Sequence, residues 1–163
     1  MKYGLFTVAA IALITILALA GASGAGPLDD ARMADRRGDY ATKLRLVRPL
    51  AEQGNAEAQT AFGFMYDTGH GVPQDYAEAA KWYRSAAEQG FTDAQDALAR
   101  MYFNGWGVPK DYVQAHMWAN LAASRFSGTG VNGEAGLRDN IAAEMTPAQI
   151  ADAQRLAREW RSK

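Results

Sequence analysis

Residues 69–75 read GHGVPQD and residues 105–111 read GWGVPKD. A Gly-x-Gly loop that occurs twice is either a phosphate cradle or a structural turn. A phosphate loop follows a strand and runs on into further glycines or a Lys-Ser/Thr pair, and neither copy does. What surrounds the two loops is instead the same. At an offset of 36 residues, 51–86 aligns without gaps on 87–122, and eighteen positions are identical. AEQG at 51 meets AEQG at 87, Ala58-Gln59 meets Ala94-Gln95, Met65-Tyr66 meets Met101-Tyr102, and Trp82 meets Trp118. A period of this size marks a solenoid stacked from one supersecondary unit.

The unit reads as two helices. Helix A is expected from about Glu57 to Tyr66, with Ala58, Phe62, Met65 and Tyr66 forming one apolar face at three- and four-residue spacing. Gly69 sits where a glycine past the last turn accepts the left-handed conformation and stops the helix. Pro73 separates the helices. Asp75 then caps the second helix, with Glu78 as its capping-box partner; Asp111 and Gln114 repeat the arrangement. Helix B is expected from about Tyr76 to Gln89, burying Ala79, Trp82 and Ala86, and Gly90 ends it as Gly54 ends the one before. Each GxGVPxD loop is therefore a stop, a turn and a start.

The pattern AxAQxxxGxMYxxGxGVPxDYxEAxKWYxxAAEQG resembles the Sel-1-like repeat, a cousin of the tetratricopeptide repeat, over about residues 51–125. The second copy departs from it at Ala99 in place of Gly63 and at Ala119 in place of Tyr83. The resemblance implies an all-α, right-handed α-solenoid of antiparallel helix pairs, about three repeats with a C-terminal helical cap. Asp39-Tyr40 lies 36 residues before Asp75-Tyr76. Residues 26–54 then read as a degenerate first repeat, its short first helix at Asp29–Arg37 and its second at LRLVRPLAEQG. Residues 55–125 hold the two clear repeats. Residues 126–163 resemble the closing helices of bacterial members: a loop at Ser127–Gly133, a helix from Glu134 to Glu144, and a start at Thr146-Pro147-Ala148-Gln149. The last helix is expected to bury Ile150, Ala153, Leu156, Ala157 and Trp160.

The first 28 residues carry one charge after the N-terminus, Lys2. A positive residue, an apolar run and small residues are the pattern of a secretory signal. Residues 1–22 are read as that signal, with Ala20-Gly21-Ala22 as the cleavage site and Ser23-Gly24-Ala25 as a second choice; the alternative is an uncleaved anchor. Either places the remainder outside the cytoplasm, most simply in a Gram-negative periplasm, with secretion or inner-membrane anchoring as alternatives. That segment is the one expected route to a membrane. The net charge of −1 offers no basic field to attract nucleic acid. The absence of cysteine excludes disulfides, thiolate metal sites, a cysteine nucleophile and a lipoprotein anchor.

Convergent chemistry is sparse. His70 stands where the other copy has Trp106 and reads as a solvated loop histidine. His116 stands where the other copy has Ala80 and reads as a surface residue. No Ser-x-x-Lys begins at Ser85, Ser124 or Ser127, and no Gly-x-Ser-x-Gly occurs. No catalytic residue, metal site or cofactor is expected. Some cysteine-rich relatives have been described as binding or hydrolysing penicillins, and the features concerned are missing here. An envelope hydrolase directed at peptidoglycan or β-lactams remains the alternative function.

Comparing the copies separates scaffold from decoration. On helix A the differing pairs include Thr60/Asp96, Phe64/Arg100 and Asp67/Phe103. In tetratricopeptide-type solenoids the first helix of each repeat lines the concave face. Phe64, Asp67, Arg100, Phe103 and the loop residue Trp106 are therefore candidate partner-binding residues; the alternative for the aromatics is packing between helices. The resemblance implies a non-catalytic, extracytoplasmic adaptor that binds a protein partner on this face, and self-association is compatible with so short an array.

Overall fold

A computed structural model of the protein describes residues 26–124 and 134–161. The expected signal at 1–22 and the Ser127–Gly133 loop lie outside the described residues. Every regular element among them is an α-helix: α1 (Pro27–Arg36), α2 (Tyr40–Glu52), α3 (Ala56–Thr68), α4 (Tyr76–Glu88), α5 (Thr92–Asn104), α6 (Tyr112–Ala123), α7 (Glu134–Ala143) and α8 (Pro147–Arg161). Neighbours in sequence pack in space, α1 on α2, α3 on α4 and α5 on α6. The pairs join through α2 on α3 and α4 on α5, and α7 and α8 both cover α6. This is an all-α helical solenoid.

The core explains the alanine-rich sequence. Ala58, Ala79, Ala86 and Ala87 are fully buried, as are their counterparts Ala94, Ala115 and Ala122. Small side chains let helices approach closely, and Phe62, Met65, Leu98 and Trp118 fill the remaining space. The paired glutamines tie one repeat to the next. Gln59 Nε2 donates to the Ala51 carbonyl at 3.3 Å, and Gln95 Nε2 to the Ala87 carbonyl at 3.2 Å. Each bond adds a second donor to a carbonyl in the last turn of the preceding helix B, which also accepts from the amide of Gly54 or Gly90.

The repeated loop is where three physical requirements meet. Gly69 and Gly105 take φ of 75° and 77° and cap α3 and α5, their amides bonding Met65 and Met101 at 2.9 and 2.8 Å. The second glycine has a different duty. A Cβ on Gly71 would lie 2.9 Å from the carbonyl oxygen of Tyr40, and one on Gly107 only 2.1 Å from that of Tyr76. Tyr40 and Tyr76 open the second helix of the preceding repeat. The loop is thus bedded backbone-to-backbone on its neighbour, an approach only glycine permits. The residue between the glycines seals the joint. His70 stacks on Tyr40 with ring centroids 4.2 Å apart, and Trp106 stacks on Tyr76 at 5.8 Å. His70 is therefore half-buried in an inter-repeat contact and not simply a solvated loop residue.

Two further expectations need correction. Asp75 caps α4 by accepting from the amides of Ala77 and Glu78, and Asp111 caps α6 likewise from Val113 and Gln114. The reciprocal arm of a capping box does not form, because the Asp75 amide is committed to the Tyr66 carbonyl and the Asp111 amide to that of Tyr102. Glu78 pairs with Lys81 instead. His116 is 3% exposed, packed where α6 meets the closing helices, and its Nδ1 has no hydrogen-bond partner among the described residues. The equivalent Ala80 is also 3% exposed, so both copies bury this position, and the polar side chain at 116 misled the reading. The box expected at the last helix does form: Gln149 Oε1 accepts from the Thr146 amide at 2.8 Å, and the Gln149 amide donates to Thr146 Oγ1 at 3.3 Å. Of the residues expected under α8, Ala153 and Ala157 are buried, while Ile150, Leu156 and Trp160 are half-buried.

The departures at 63/99 and 83/119 compensate one another. A Cβ on Gly63 would stand 2.9 Å from the Tyr83 ring, so the buried tyrosine requires the glycine. In the next repeat Ala99 faces a position where Ala119 has no ring.

Candidate partner-binding groove

The first helices of the units share one exposed face. On α3 it consists of Glu57, Thr60, Ala61 and Phe64; on α5, 36 residues on, of Asp93, Asp96, Ala97 and Arg100. These i, i+3, i+4, i+7 positions fall on one side of each helix. On α1, Leu28, Ala31, Arg32 and Asp35 continue the row at the same spacing. Together they line a half-open groove with a cavity volume of about 680 Å³. Val47 and Met101 form apolar parts of its lining, Phe91 and Trp106 add aromatic edges, and Tyr83 reaches it from α4.

Four of the five candidate residues come together here: Phe64, Asp67, Arg100 and Trp106 all line the groove. Phe64 is 41% exposed and Trp106 46%. Phe103 does not line it. Its ring packs against Tyr112, centroids 5.7 Å apart, with the Lys110 ammonium 5.7 Å from its centre. For Phe103 the alternative reading, packing between elements, is the one the structure shows.

The charges are arranged in pairs. Arg32 bridges Asp29 and Glu57. Lys43 Nζ lies 2.7 Å from Asp35 Oδ1, its side chain almost fully covered and its ammonium 5.3 Å from the centre of the Phe64 ring. Arg100 Nε meets Asp96 Oδ2 at 2.8 Å. Asp67 is different. Burial pushes its carboxyl above the usual carboxylate range, opposed by a hydrogen bond from Tyr83. Burial, followed by the neighbouring Asp67 charge, raises the Tyr83 hydroxyl in turn.

Sequence comparison missed Lys43, Phe91 and Tyr83, and two of them had left a signal. Lys43 takes the place of the buried Ala79 and Ala115. A lysine there has to run its apolar stem out to a polar end, here the groove. Phe91 takes the place of Asn55, whose Oδ1 caps α3 through the Ala58 amide at 2.9 Å, and α5 has no side-chain cap. A missing cap is worth about 1 kcal/mol. An aromatic ring at a capping position, bordering a groove, is a position where local helix stability has been set aside.

Among the described residues lining the groove there is no histidine, serine or cysteine. Among the described residues no cluster of His, Cys, Asp and Glu could hold a metal ion, and no helix is long and apolar enough to cross a membrane.

A solenoid of helix pairs with a groove along its first helices defines the class, a repeat-built α-helical solenoid. Residues 56–91 and 92–125 each match the Sel1 repeat family. Two similar solved structures carry the same architecture. One is c5321, a protective antigen of uropathogenic Escherichia coli strains displaying an SLR fold, 28% identical over 84% of this chain with a TM-score of 0.76. The other is a Sel1 repeat protein from Oxalobacter formigenes, 32% identical over 63% of this chain with a TM-score of 0.58. The matches span 29% and 41% of those two chains. No curated protein matches the chain. Sel1-repeat proteins are generally protein-interaction modules, and the fold is typically a non-catalytic scaffold.

Proposed function

We propose that the protein is a non-catalytic interaction module acting outside the cytoplasm, in a bacterial envelope, and that it grips a segment of a partner protein in the groove. The observation that carries this reading is the repetition of one helical face. Equivalent positions on α1, α3 and α5 line a single groove, and Phe64 and Trp106 stand exposed in it. Exposed aromatics bordered by arginine are the side chains that dominate interface energetics. The extracytoplasmic location is supported by the uncharged apolar run that follows Lys2. It also suits the similarity to a protein described as a protective antigen.

The test is affinity capture from envelope extract. The bait is the chain without residues 1–22, compared with Phe64→Ala/Trp106→Ala and with Phe103→Ala, each first shown to keep its helical circular dichroism. A partner held by the parent and by Phe103→Ala but lost by the double variant supports the reading. Equal capture by all three moves the binding surface elsewhere on the molecule.

A further inference from the structure

The proposed groove has two unlike halves. On the α1/α2 side each basic group is engaged by an acid, Arg32 by Asp29 and Glu57, and Lys43 by Asp35. Toward α5 the balance fails. Asp67, Asp93 and Asp96 face one guanidinium, that of Arg100, leaving a surplus of two negative charges. Arg100 engages only Oδ2 of Asp96. Oδ1 of the same carboxylate is enclosed and has no hydrogen-bond partner among the described residues. Asp67 has the Tyr83 hydroxyl and no cation. Asp93 forms no ion pair among the described residues and stands in the first turn of α5. Beside these acids lie the rings of Phe91 and Trp106 and the side chain of Met101.

We propose that the groove takes a linear segment of a partner protein bearing a lysine or arginine between apolar residues, its cation drawn to the acidic lining that Asp67, Asp93 and Asp96 give the groove. This rests on the reading of the groove as a protein-binding site and adds the chemistry of what it recognises. A cation supplies donors to carboxylate oxygens that the chain itself leaves unmatched, and charge-assisted bonds of that kind are the strong ones. The same cation can lie over an indole or phenyl face, and its apolar neighbours can cover Phe64 and Leu28. An acidic segment would add like charge to a surplus already present. A wholly apolar segment would strip water from three carboxylates and return nothing. The half-open groove, lined by apolar residues as well as acids, suits a chain that enters and leaves.

The experiment is selection from a display library of short random peptides on the chain without residues 1–22. Binding of the selected peptides is then compared on Asp67→Asn/Asp93→Asn and on Phe64→Ala/Trp106→Ala, with circular dichroism confirming each fold. The expected peptides carry Lys or Arg beside aromatic or branched aliphatic residues. Their affinity should fall about tenfold on the Asp-to-Asn variant and weaken with added salt, and changing the peptide cation to glutamine should have the same effect. Peptides that need Phe64 and Trp106 but show no cationic preference, or ignore the Asp-to-Asn change, overturn this inference and leave the groove reading standing. Peptides indifferent to Phe64 and Trp106, or no peptide at all, overturn both.

Discussion

Replacing Gly107 by alanine should damage the protein far more than replacing Gly105 two residues earlier, although both glycines have positive φ. At Gly105 the added Cβ meets Lys110 Cβ at 3.3 Å, a contact that a shift of a few tenths of an ångström relieves, so the loss is chiefly the left-handed conformation, about 1–2 kcal/mol. At Gly107 the same conformational penalty applies, and the Cβ also lands 2.1 Å from the Tyr76 carbonyl oxygen and 2.2 Å from its carbon. Ordinary contact begins near 3.4 Å, so the loop must retreat by more than 1 Å from the helix that supports it. Forcing atoms into a packed joint typically costs about 1–3 kcal/mol, which brings Gly107→Ala to about 2–5 kcal/mol in all. That is a large share of a stability of about 5–15 kcal/mol. At about 3 °C per kcal/mol, the melting point should fall roughly 10 °C for Gly107→Ala and roughly 4 °C for Gly105→Ala. Gly71→Ala, with its Cβ 2.9 Å from the Tyr40 oxygen, should fall between them. Urea unfolding followed by helical circular dichroism gives the ranking, and a shallower slope for Gly107→Ala would show the repeats coming apart separately. If Gly105→Ala proves as harmful as Gly107→Ala, the second glycine is not an inter-repeat joint.

Gly63→Ala and Tyr83→Ala should be coupled: Gly63→Ala alone drives a methyl into the Tyr83 ring, whereas the double change reproduces the Ala99/Ala119 pair of the next repeat and should be milder than the sum of the singles by about 1 kcal/mol or more in a denaturation cycle. Burial, aided by Arg138, holds the His116 imidazole below its ordinary pKa of 6.5. The unfolded chain therefore takes up that proton first, so this contribution to stability is complete above pH 6.5 and is lost as the pH falls below it. The melting point of His116→Gln should accordingly gain on that of the parent between about pH 7.5 and pH 5.5, and a constant difference would contradict this. Asp67→Asn removes a charge that burial disfavours and keeps an acceptor for Tyr83, so it should leave the melting point unchanged or higher while weakening partner binding; a clear fall in melting temperature would show that the carboxylate is structural.

The repeats were plain in the sequence because each unit must satisfy the same packing twice, and identity at a fixed offset reports that requirement directly. Helix starts were legible through Asp75, Asp111 and Thr146, since a capping side chain acts on amides two or three residues away. The reciprocal box at Glu78 was not, because the Tyr66 carbonyl that takes the Asp75 amide is nine residues distant. The groove was partly legible. Differences between copies picked out Phe64 and Arg100, which occupy equivalent positions on α3 and α5 and do line it. The same logic misplaced Phe103, because a difference between copies does not say which way a ring turns, and this one turns to Tyr112. His70 failed for a related reason: its surroundings come from the neighbouring repeat, which an alignment of one copy on another does not contain. At 116 the polar side chain hid a position that both copies bury.

Phe64 and Phe103 are the same residue type on successive first helices, one in the groove and one outside it. Replacing each in turn by a photoreactive benzoylphenylalanine and irradiating cells that produce the protein reports which surface a partner covers. The groove account predicts a discrete covalent adduct from position 64 that is lost when Trp106→Ala is added, and none from position 103. An adduct from 103 alone, or equal adducts from both, would contradict it.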